Sequence, residues 1–283
     1  MALKRSFPTL VFISFLLLLT ATSALAQVRT PRVSQNATLT QTVGLTDITI
    51  KYSRPGVKGR TIWGDLVPWD KVWRSGANEA TTISFSDDVL VNGQKLARGM
   101  YSLHTIPGHD EWTIIFNSVA DQWGSYSYDE AKDTLRVKVK AEAAPFTEWL
   151  EYTFSELSSD AAKVELRWEK VAVPFTVDTK SVDRTMTALK NAMSPDWRAA
   201  YSAALFAFEN KGAATDADMS AWLEQSLKAN QNVQNLYLKG RIAARAGNKA
   251  DAVKYGEQAI AAATPAQKNF ADTVKADVER WKK

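Results

Sequence analysis

The chain has 283 residues, no cysteine and a formal net charge of +4 at neutral pH. The absence of cysteine excludes disulfides, zinc thiolate sites and cysteine nucleophiles, so the fold must be held by its apolar core. The charge is close to neutral and no block of lysines could follow a phosphate backbone, which disfavours nucleic acid as a partner.

The first 26 residues have the pattern of a secretory signal peptide. Lys4 and Arg5 precede an apolar run over residues 7–19, and Ala24-Leu25-Ala26 fits the small-x-small rule for cleavage after Ala26. The apolar run is shorter than the roughly 20 residues that a membrane-spanning helix needs. We therefore expect an exported protein, periplasmic or extracellular, with no membrane span once the signal is removed.

Residues 31–177 have the alternation and turn residues of short β-strands. The predicted strands lie within 48–52, 81–85, 89–91, 94–96, 100–106, 112–116, 135–140, 148–154, 164–169 and 171–177. Asn92-Gly93 is a strong hairpin signal, because both turn residues must adopt positive φ. Regular short strands without a long helix between them predict an antiparallel β-sandwich or jelly roll, and they disfavour a parallel βαβ fold.

After Pro174 alanine becomes dominant and the apolar period lengthens to that of a helix. Helices are predicted over 182–193, 195–210, 216–229, 233–246, 249–263 and 266–281. We expect Ser194 to cap the second of these helices, with Pro195 at its first position. The predicted organisation is therefore mainly β plus α: a signal peptide over 1–26, a β-sandwich domain over 31–177, and an α-helical domain over 181–283.

The segment NLYLKGRIAARAGNKADAVKYGEQAIAAA is similar to one tetratricopeptide repeat. Small residues recur at the spacing that lets two antiparallel helices approach closely: Leu236, Gly240, Ala243, Gly247, Ala252 and Ala259. Ala243 and Gly256 stand where the repeat normally carries aromatic residues, and Pro265 falls one position late. About three repeats are normally needed for a stable stack, so a plain alanine-rich bundle is the alternative. We expect this tetratricopeptide-like part to bind a protein partner.

The sequence contains no standard catalytic motif, and no cofactor is predicted. His104 and His109, followed by Asp110 and Glu111, could offer ligands to a divalent metal. A packed histidine and an ordinary polar turn account for the same residues. We predict no metal site, because a dedicated site needs three or four convergent protein ligands.

The stretch Trp63–Phe85, WGDLVPWDKVWRSGANEATTISF, is the most informative part of the chain. An arginine offers a rigid donor fork that suits carboxylate or phosphate, and exposed tryptophans stack on sugar rings. The candidate ligand-binding residues are Trp73, Arg74, Asn78, Glu79, His104, Trp123 and Tyr126. In the alternative interpretation Arg74 pairs with Glu79, Asn78 caps the loop, and the tryptophans, Trp63 and Trp69 among them, are core residues.

The same region carries a family resemblance. The stretches VWRSGANEATTISF, VNG, GMYSLHTIPG, EWTIIFN and QWGSY resemble the bacterial family known as domain of unknown function 2911, over approximately Pro31–Val177. The resemblance implies an exported bacterial protein, and members often carry a helical tail. It implies no catalytic residue and no cofactor, because the family has no agreed activity.

Three functions are consistent with these observations. The first is a module without catalysis that binds a small molecule, glycan or peptide on the sandwich. The second is an uncharacterised hydrolase or metal-dependent enzyme, with Glu79 as base, His104 as acid or ligand and Arg74 as anion holder; these side chains must then converge on one open pocket. The third is a structural envelope scaffold without an enclosed polar pocket. We favour the first.

Overall fold

The computed structural model describes residues 30–283, so the predicted signal peptide and its cleavage site after Ala26 lie outside the described residues. Antiparallel sheets occupy residues 35–178, and six α-helices follow them. The predicted β plus α class is therefore confirmed. In residues 30–283 no helix combines the length and the apolarity that crossing a bilayer requires.

The sandwich consists of two sheets. Its strands are β1 (Gln35–Val43), β2 (Thr46–Arg54), β3 (Thr82–Phe85), β4 (Val89–Val91), β5 (Gln94–Leu96), β6 (Gly99–Ile106), β7 (Trp112–Asn117), β8 (Asp133–Val139), β9 (Glu142–Ser155) and β10 (Ala161–Asp178). The six-stranded sheet has the order β1-β2-β3-β6-β7-β8, and the four-stranded sheet has the order β5-β4-β10-β9. Neighbouring strands in both sheets are antiparallel.

The clearest differences from the sequence prediction are in β1 and β10. β1 was not predicted, because its sequence QNATLTQTV is mostly polar and mostly exposed. The predicted strands 164–169 and 171–177 form one continuous strand, β10. Glu169 interrupts the alternation there, with φ of 57° and a register shift against β9 on either side of it. Such a bulge inserts an extra residue without ending the strand.

The predicted hairpin at Asn92-Gly93 is confirmed. Both residues have positive φ, 46° and 81°, and they connect β4 to β5 with Val91 opposite Gln94. The glycine tolerates this conformation because it has no Cβ.

The facing sides of the two sheets form one apolar core. In β6 the side chains of Tyr101 and Leu103 belong to that core. Because successive side chains of a strand point to opposite faces, Ser102 and His104 lie on the outer face of the six-stranded sheet. Gln122, Ser125 and Tyr128 from the segment after β7 contact these two residues, and both are buried.

The helices are α1 (Ser181–Asn191), α2 (Trp197–Glu209), α3 (Asp216–Ala229), α4 (Val233–Arg245), α5 (Lys249–Ala261) and α6 (Lys268–Trp281). The predicted cap of the second helix is wrong. Asp196 caps α2 by accepting a hydrogen bond from Arg198 N at 3.2 Å, so Pro195 precedes the helix. A carboxylate at this position also interacts favourably with the positive end of the helix dipole.

The small residues of α4 and α5 mark a close helix crossing. A Cβ on Gly240 would lie 3.1 Å from the carbonyl oxygen of Ala252, so only glycine fits without a shift. A Cβ on Gly256 would collide with Val278 of α6 and lie 3.0 Å from Cζ3 of Trp281. The Trp281 ring from α6 thus occupies the space beside Gly256, where a tetratricopeptide repeat would carry its own aromatic residue.

The helical part contacts the sandwich where β10 runs into α1. Leu45 N donates to Ser181 Oγ at 2.9 Å, and Arg184 of α1 pairs with Asp87 at 2.6 Å. Gly44 has φ of 57°, and a Cβ there would collide with Ser181 Oγ and with the carbonyl oxygen of Ser159. The junction therefore requires glycine at this position.

Candidate functional site

Four tryptophans form one cluster: Trp63 and Trp73 of the loop 63–81, Trp112 of β7 and Trp168 of β10. The ring centroid of Trp63 lies 5.9 Å from Trp73, 4.9 Å from Trp112 and 5.8 Å from Trp168, each in an edge-to-face geometry. Trp73 stacks on Trp168 at 5.9 Å. Edge-to-face and offset-stacked pairs are the favoured aromatic geometries. The cluster therefore holds the loop rigidly against the core.

The loop is fixed to β6 at Trp73. Trp73 N donates to Thr105 O and Thr105 N donates to Trp73 O, both at 2.8 Å. Trp73 belongs to the core, whereas Arg74 is only partly buried. Arg74 Nη1 lies beside Gly124, 3.7 Å from where a Cβ of that glycine would be.

A cleft of about 410 Å³ opens over this loop. The buried rings of Trp73 and Trp168 support its wall from the core side, and Lys58, Arg60 and Arg74 contribute three positive charges. No aspartate or glutamate of the described residues lines it. None of the three cations forms an ion pair within residues 30–283. The cleft is thus electropositive.

Two residues of the cleft wall have buried donors without acceptors. Arg74 Nε and Trp168 Nε1 make no hydrogen bond in the part of the chain that the structure describes. Nearly all buried polar groups in folded proteins are paired, so these two donors are exceptions, as is Trp63 Nε1 in the same tryptophan cluster. Burial lowers the pKa of the Arg74 guanidinium from its ordinary value, while nearby Tyr126 opposes the shift.

Asn78 ties the loop to the start of the sandwich. It has φ of 59°, and its Nδ2 donates to Ser34 O at 3.2 Å and to Ser53 Oγ at 3.3 Å. Asparagine adopts this left-handed conformation more easily than most residues. Asn78 therefore shapes the cleft, whose wall also includes Ser34.

Glu79 pairs with Arg32, so the alternative in which it pairs with Arg74 is wrong. Arg32 Nη1 lies 2.7 Å from both carboxylate oxygens, and this hydrogen bonding is the main cause that lowers the pKa of Glu79. The reason is the path of the chain before β1, which brings Arg32 to Glu79 while Arg74 turns towards Gly124. Glu79 lines a separate depression of about 230 Å³.

His104 is fully buried on the outer face of the six-stranded sheet. Its Nε2 lies 3.1 Å from Ser102 Oγ and its Nδ1 lies 3.1 Å from Ser125 Oγ. Burial lowers the pKa of His104 to about 4, against an opposing effect of Asp133. The imidazole is therefore neutral at neutral pH. Neither the cleft nor the depression beside Glu79 includes it.

Trp123 and Tyr126 are exposed on the loop that covers His104, with 58% and 85% of their surface accessible. The loop is joined to the segment after Asn78: Ala80 N donates to Gln122 O at 3.0 Å, and Glu79 forms a backbone bridge with Trp123. Arg74 therefore has Trp73 and Asn78 of the cleft on one side and the Trp123–Tyr126 loop on the other.

The predicted residues thus fall into two neighbouring groups. Trp73, Arg74 and Asn78 line the cleft, whereas Glu79 and His104 do not. Of the two other tryptophans in the loop, Trp63 packs behind Trp73, and Trp69 contacts His109 with ring centroids 4.4 Å apart. In residues 30–283 no three His, Asp or Glu side chains are grouped closely enough to hold a metal ion.

Sequence reasoning missed Lys58, Arg60 and Trp168 as cleft residues. Lys58 lies in a turn with positive φ at Lys58 and Gly59, and Arg60 follows it. Exposed basic residues are common in turns, so the sequence gives no sign that these two line a cleft. Trp168 lies on β10, and only tertiary packing brings it to Trp73. No local pattern links these positions.

Comparison with known proteins gives one match. Residues 34–177 match the family described as "Protein of unknown function (DUF2911)". Searches of curated proteins and of solved structures return no match. The matched range covers the sandwich and ends at Val177, close to the end of β10 and before α1.

Proposed function

This chain belongs to the DUF2911 family, whose function is unknown, and we propose that it is an exported binding protein that takes a small anionic ligand in the cleft beside Trp73. The proposed role involves binding and no catalysis. Arg74 is the principal anion contact, Lys58 and Arg60 supply further positive charge, and the exposed side chains of Val33 and Leu66 contact the apolar part of the ligand.

The charge of the cleft carries this proposal. Three cations and no carboxylate line one concavity, and Arg74 Nε has no acceptor in residues 30–283. A half-buried guanidinium without a counter-charge is costly to a folded protein. A bound anion would offset this cost. A carboxylate or phosphate offers two acceptors in the geometry that a guanidinium fork matches.

The size and wall of the cleft suit a small molecule. Its volume of about 410 Å³ falls within the range of roughly 300–1,000 Å³ that is usual for ligand pockets. Such pockets combine apolar ring surface with a few placed polar groups. Here the wall is rigid, because Trp73 behind it is held by two backbone hydrogen bonds and by the tryptophan cluster.

The enzyme alternative has weaker support. It requires Glu79, His104 and Arg74 to converge on one open pocket. Glu79 is engaged by Arg32, and His104 is buried with a serine hydroxyl at each ring nitrogen. Arg74 alone of the three lines the cleft.

The proposal is tested by titrating the exported, processed protein with inorganic phosphate, acetate, benzoate and galacturonate. Binding is followed by isothermal titration calorimetry and by tryptophan fluorescence. We expect saturable binding of at least one of these anions, weakened in Arg74→Met and in Lys58→Gln. Lys95→Gln is the matched control, because it removes one exposed positive charge that does not line the cleft.

Two results would contradict the proposal. One is the absence of a saturable response to all four anions. The other is binding that Lys95→Gln weakens as much as Arg74→Met, which would indicate a nonspecific charge effect.

A further inference from the structure

A second cavity lies next to the cleft along the same two chain segments. It has a volume of about 340 Å³ and is lined by Gln35, Arg54 and Trp149. Gln35 directly follows Ser34, and Arg54 directly precedes Pro55, both of which line the cleft. Lys58 connects the two cavities, because it lines the cleft while its Nζ lies 5.6 Å from the Trp149 ring centroid.

Trp149 is an exposed ring on a rigid support. It has 42% of its surface accessible, although it lies in the middle of β9. Val57 N donates to Glu148 O at 2.8 Å and Leu150 N donates to Pro55 O at 3.0 Å, so the backbone on both sides of it is fixed. A Cβ on Gly56 would lie 3.1 Å from Cζ3 of the ring, which shows how closely the indole packs on that backbone.

Polar groups flank the ring. The guanidinium of Arg54 is oriented by Nε donating to Leu150 O at 2.9 Å and by Nη2 lying 3.2 Å from Glu151 Oε2. Arg54 Nη1 and the Gln35 amide make no hydrogen bond within the described part of the chain. The cavity therefore presents an apolar ring beside oriented donors and an amide.

We propose that the anionic ligand of the cleft is part of an acidic oligosaccharide, with its acid group in the cleft and a neighbouring sugar stacked on Trp149. This inference rests on the proposed function of the cleft. A sugar ring has an apolar C–H face that fits an indole, and hydroxyl groups at its edge that fit Arg54 and Gln35. Lys58 lies between the two subsites and complements a chain that carries repeated negative charge.

A peptide strand fits this place less well. Adding a strand requires a free backbone edge. The backbone here is already engaged, because Gly56 forms an antiparallel bridge with Trp149 and both neighbouring residues of β9 exchange hydrogen bonds with residues 55–57. Recognition at this cavity must therefore use side chains, which suits a saccharide.

The test compares galacturonate, tetragalacturonate and the neutral cellotetraose by calorimetry, using the wild-type protein, Trp149→Ala and Phe146→Ala. Phe146 is the matched control, because it is an exposed aromatic residue of the same strand that lines neither cavity. Circular dichroism melts establish that both variants fold. We expect tetragalacturonate to bind about tenfold or more tightly than galacturonate, the effect of one well-placed tryptophan contact. Trp149→Ala removes this gain, Phe146→Ala keeps it, and cellotetraose binds more weakly than tetragalacturonate.

Three results would overturn the inference while leaving the cleft proposal intact. In the first, a small anion binds through Arg74 but tetragalacturonate binds no tighter than galacturonate. In the second, Trp149→Ala keeps the gain. In the third, cellotetraose binds as tightly as tetragalacturonate. Failure of every anion, including phosphate and benzoate, would instead overturn both proposals.

Discussion

Replacing Arg74 separates a ligand-holding role from a structural one. Arg74→Met keeps an unbranched stem of similar length and removes both the charge and the donors. If the guanidinium held the fold together, its loss would destabilise the protein. The structure indicates the opposite, because Arg74 forms no ion pair in residues 30–283 and its Nε is buried without an acceptor.

The expected magnitudes follow from that geometry. A buried polar group without a partner costs about 1–3 kcal/mol, and the low end applies to Arg74 because its side chain is only partly buried. We therefore expect the free energy of unfolding of Arg74→Met to be unchanged or higher by about 1 kcal/mol. A hydrogen bond to a charged group contributes about 1.5–3 kcal/mol, so anion affinity should fall roughly 10- to 150-fold.

The assay is urea unfolding followed by circular dichroism, paired with calorimetric titration of the best-binding anion. Arg136→Gln is the matched control. Arg136 Nε lies 2.6 Å from Asp133 Oδ2 and its Nη2 donates to Tyr128 Oη at 2.7 Å. That variant should lose about 1–3 kcal/mol of stability because it removes the charge-assisted hydrogen bonds of Arg136 to Asp133 and Tyr128. Arg74→Met that loses more than about 1 kcal/mol of stability and keeps its affinity would refute the reasoning.

Three further predictions concern the rest of the chain. The pKa of His104 is lowered to about 4 from 6.5, so as the pH falls the unfolded state takes up the proton before the folded state does. The contribution of neutral His104 to the free energy of unfolding is therefore fully present above pH 6.5, and about 3 kcal/mol of it is lost as the pH falls towards 4. Urea unfolding across this range should show a flatter profile for His104→Gln, and identical profiles would contradict the linkage. Gly44→Ala should cost about 2–5 kcal/mol, because it combines a positive φ with a collision at Ser181, whereas Gly93→Ala, whose added Cβ meets nothing within 4 Å, should cost only about 1 kcal/mol. Thermal melts of the two variants compare these costs, and equal losses would show that the junction at Gly44 is not tightly packed. N-terminal sequencing of the exported protein should begin at Gln27, and a product that retains Met1 would contradict the predicted cleavage.

Local signals predicted much of the fold. The Asn92-Gly93 turn, the alternation of β2 and β6, and the helical spacing after Pro174 each depend on neighbouring residues only, and the structure confirms them. Errors occurred where a local pattern was ambiguous. β1 is too polar to signal a strand, and the bulge at Glu169 looks like a break between two strands.

The arrangement of the candidate site depends on contacts between segments that are distant in sequence, so local patterns predict it less well than they predict the fold. The stretch Trp63–Phe85 stands out in the sequence because its tryptophans and turn residues are close together, and several of its residues line a cleft. The partner of Glu79 lies 47 residues earlier, at Arg32, and nothing near Glu79 indicates it. Trp168 joins the cleft only because β10 packs across the sandwich from the loop. Such pairings are set by tertiary packing.

The location of the anion site can be measured most directly by ¹H–¹⁵N NMR of the tryptophan indole and arginine Nε–H groups during titration with galacturonate. Trp168→Phe and Arg74→Met assign the two resonances of interest. We predict saturable shifts of Trp168 Nε1–H and Arg74 Nε–H, with the indoles of Trp197 and Trp222 in the helical part unmoved. Saturable binding that leaves the Trp168 and Arg74 resonances in place would contradict the cleft as the binding site.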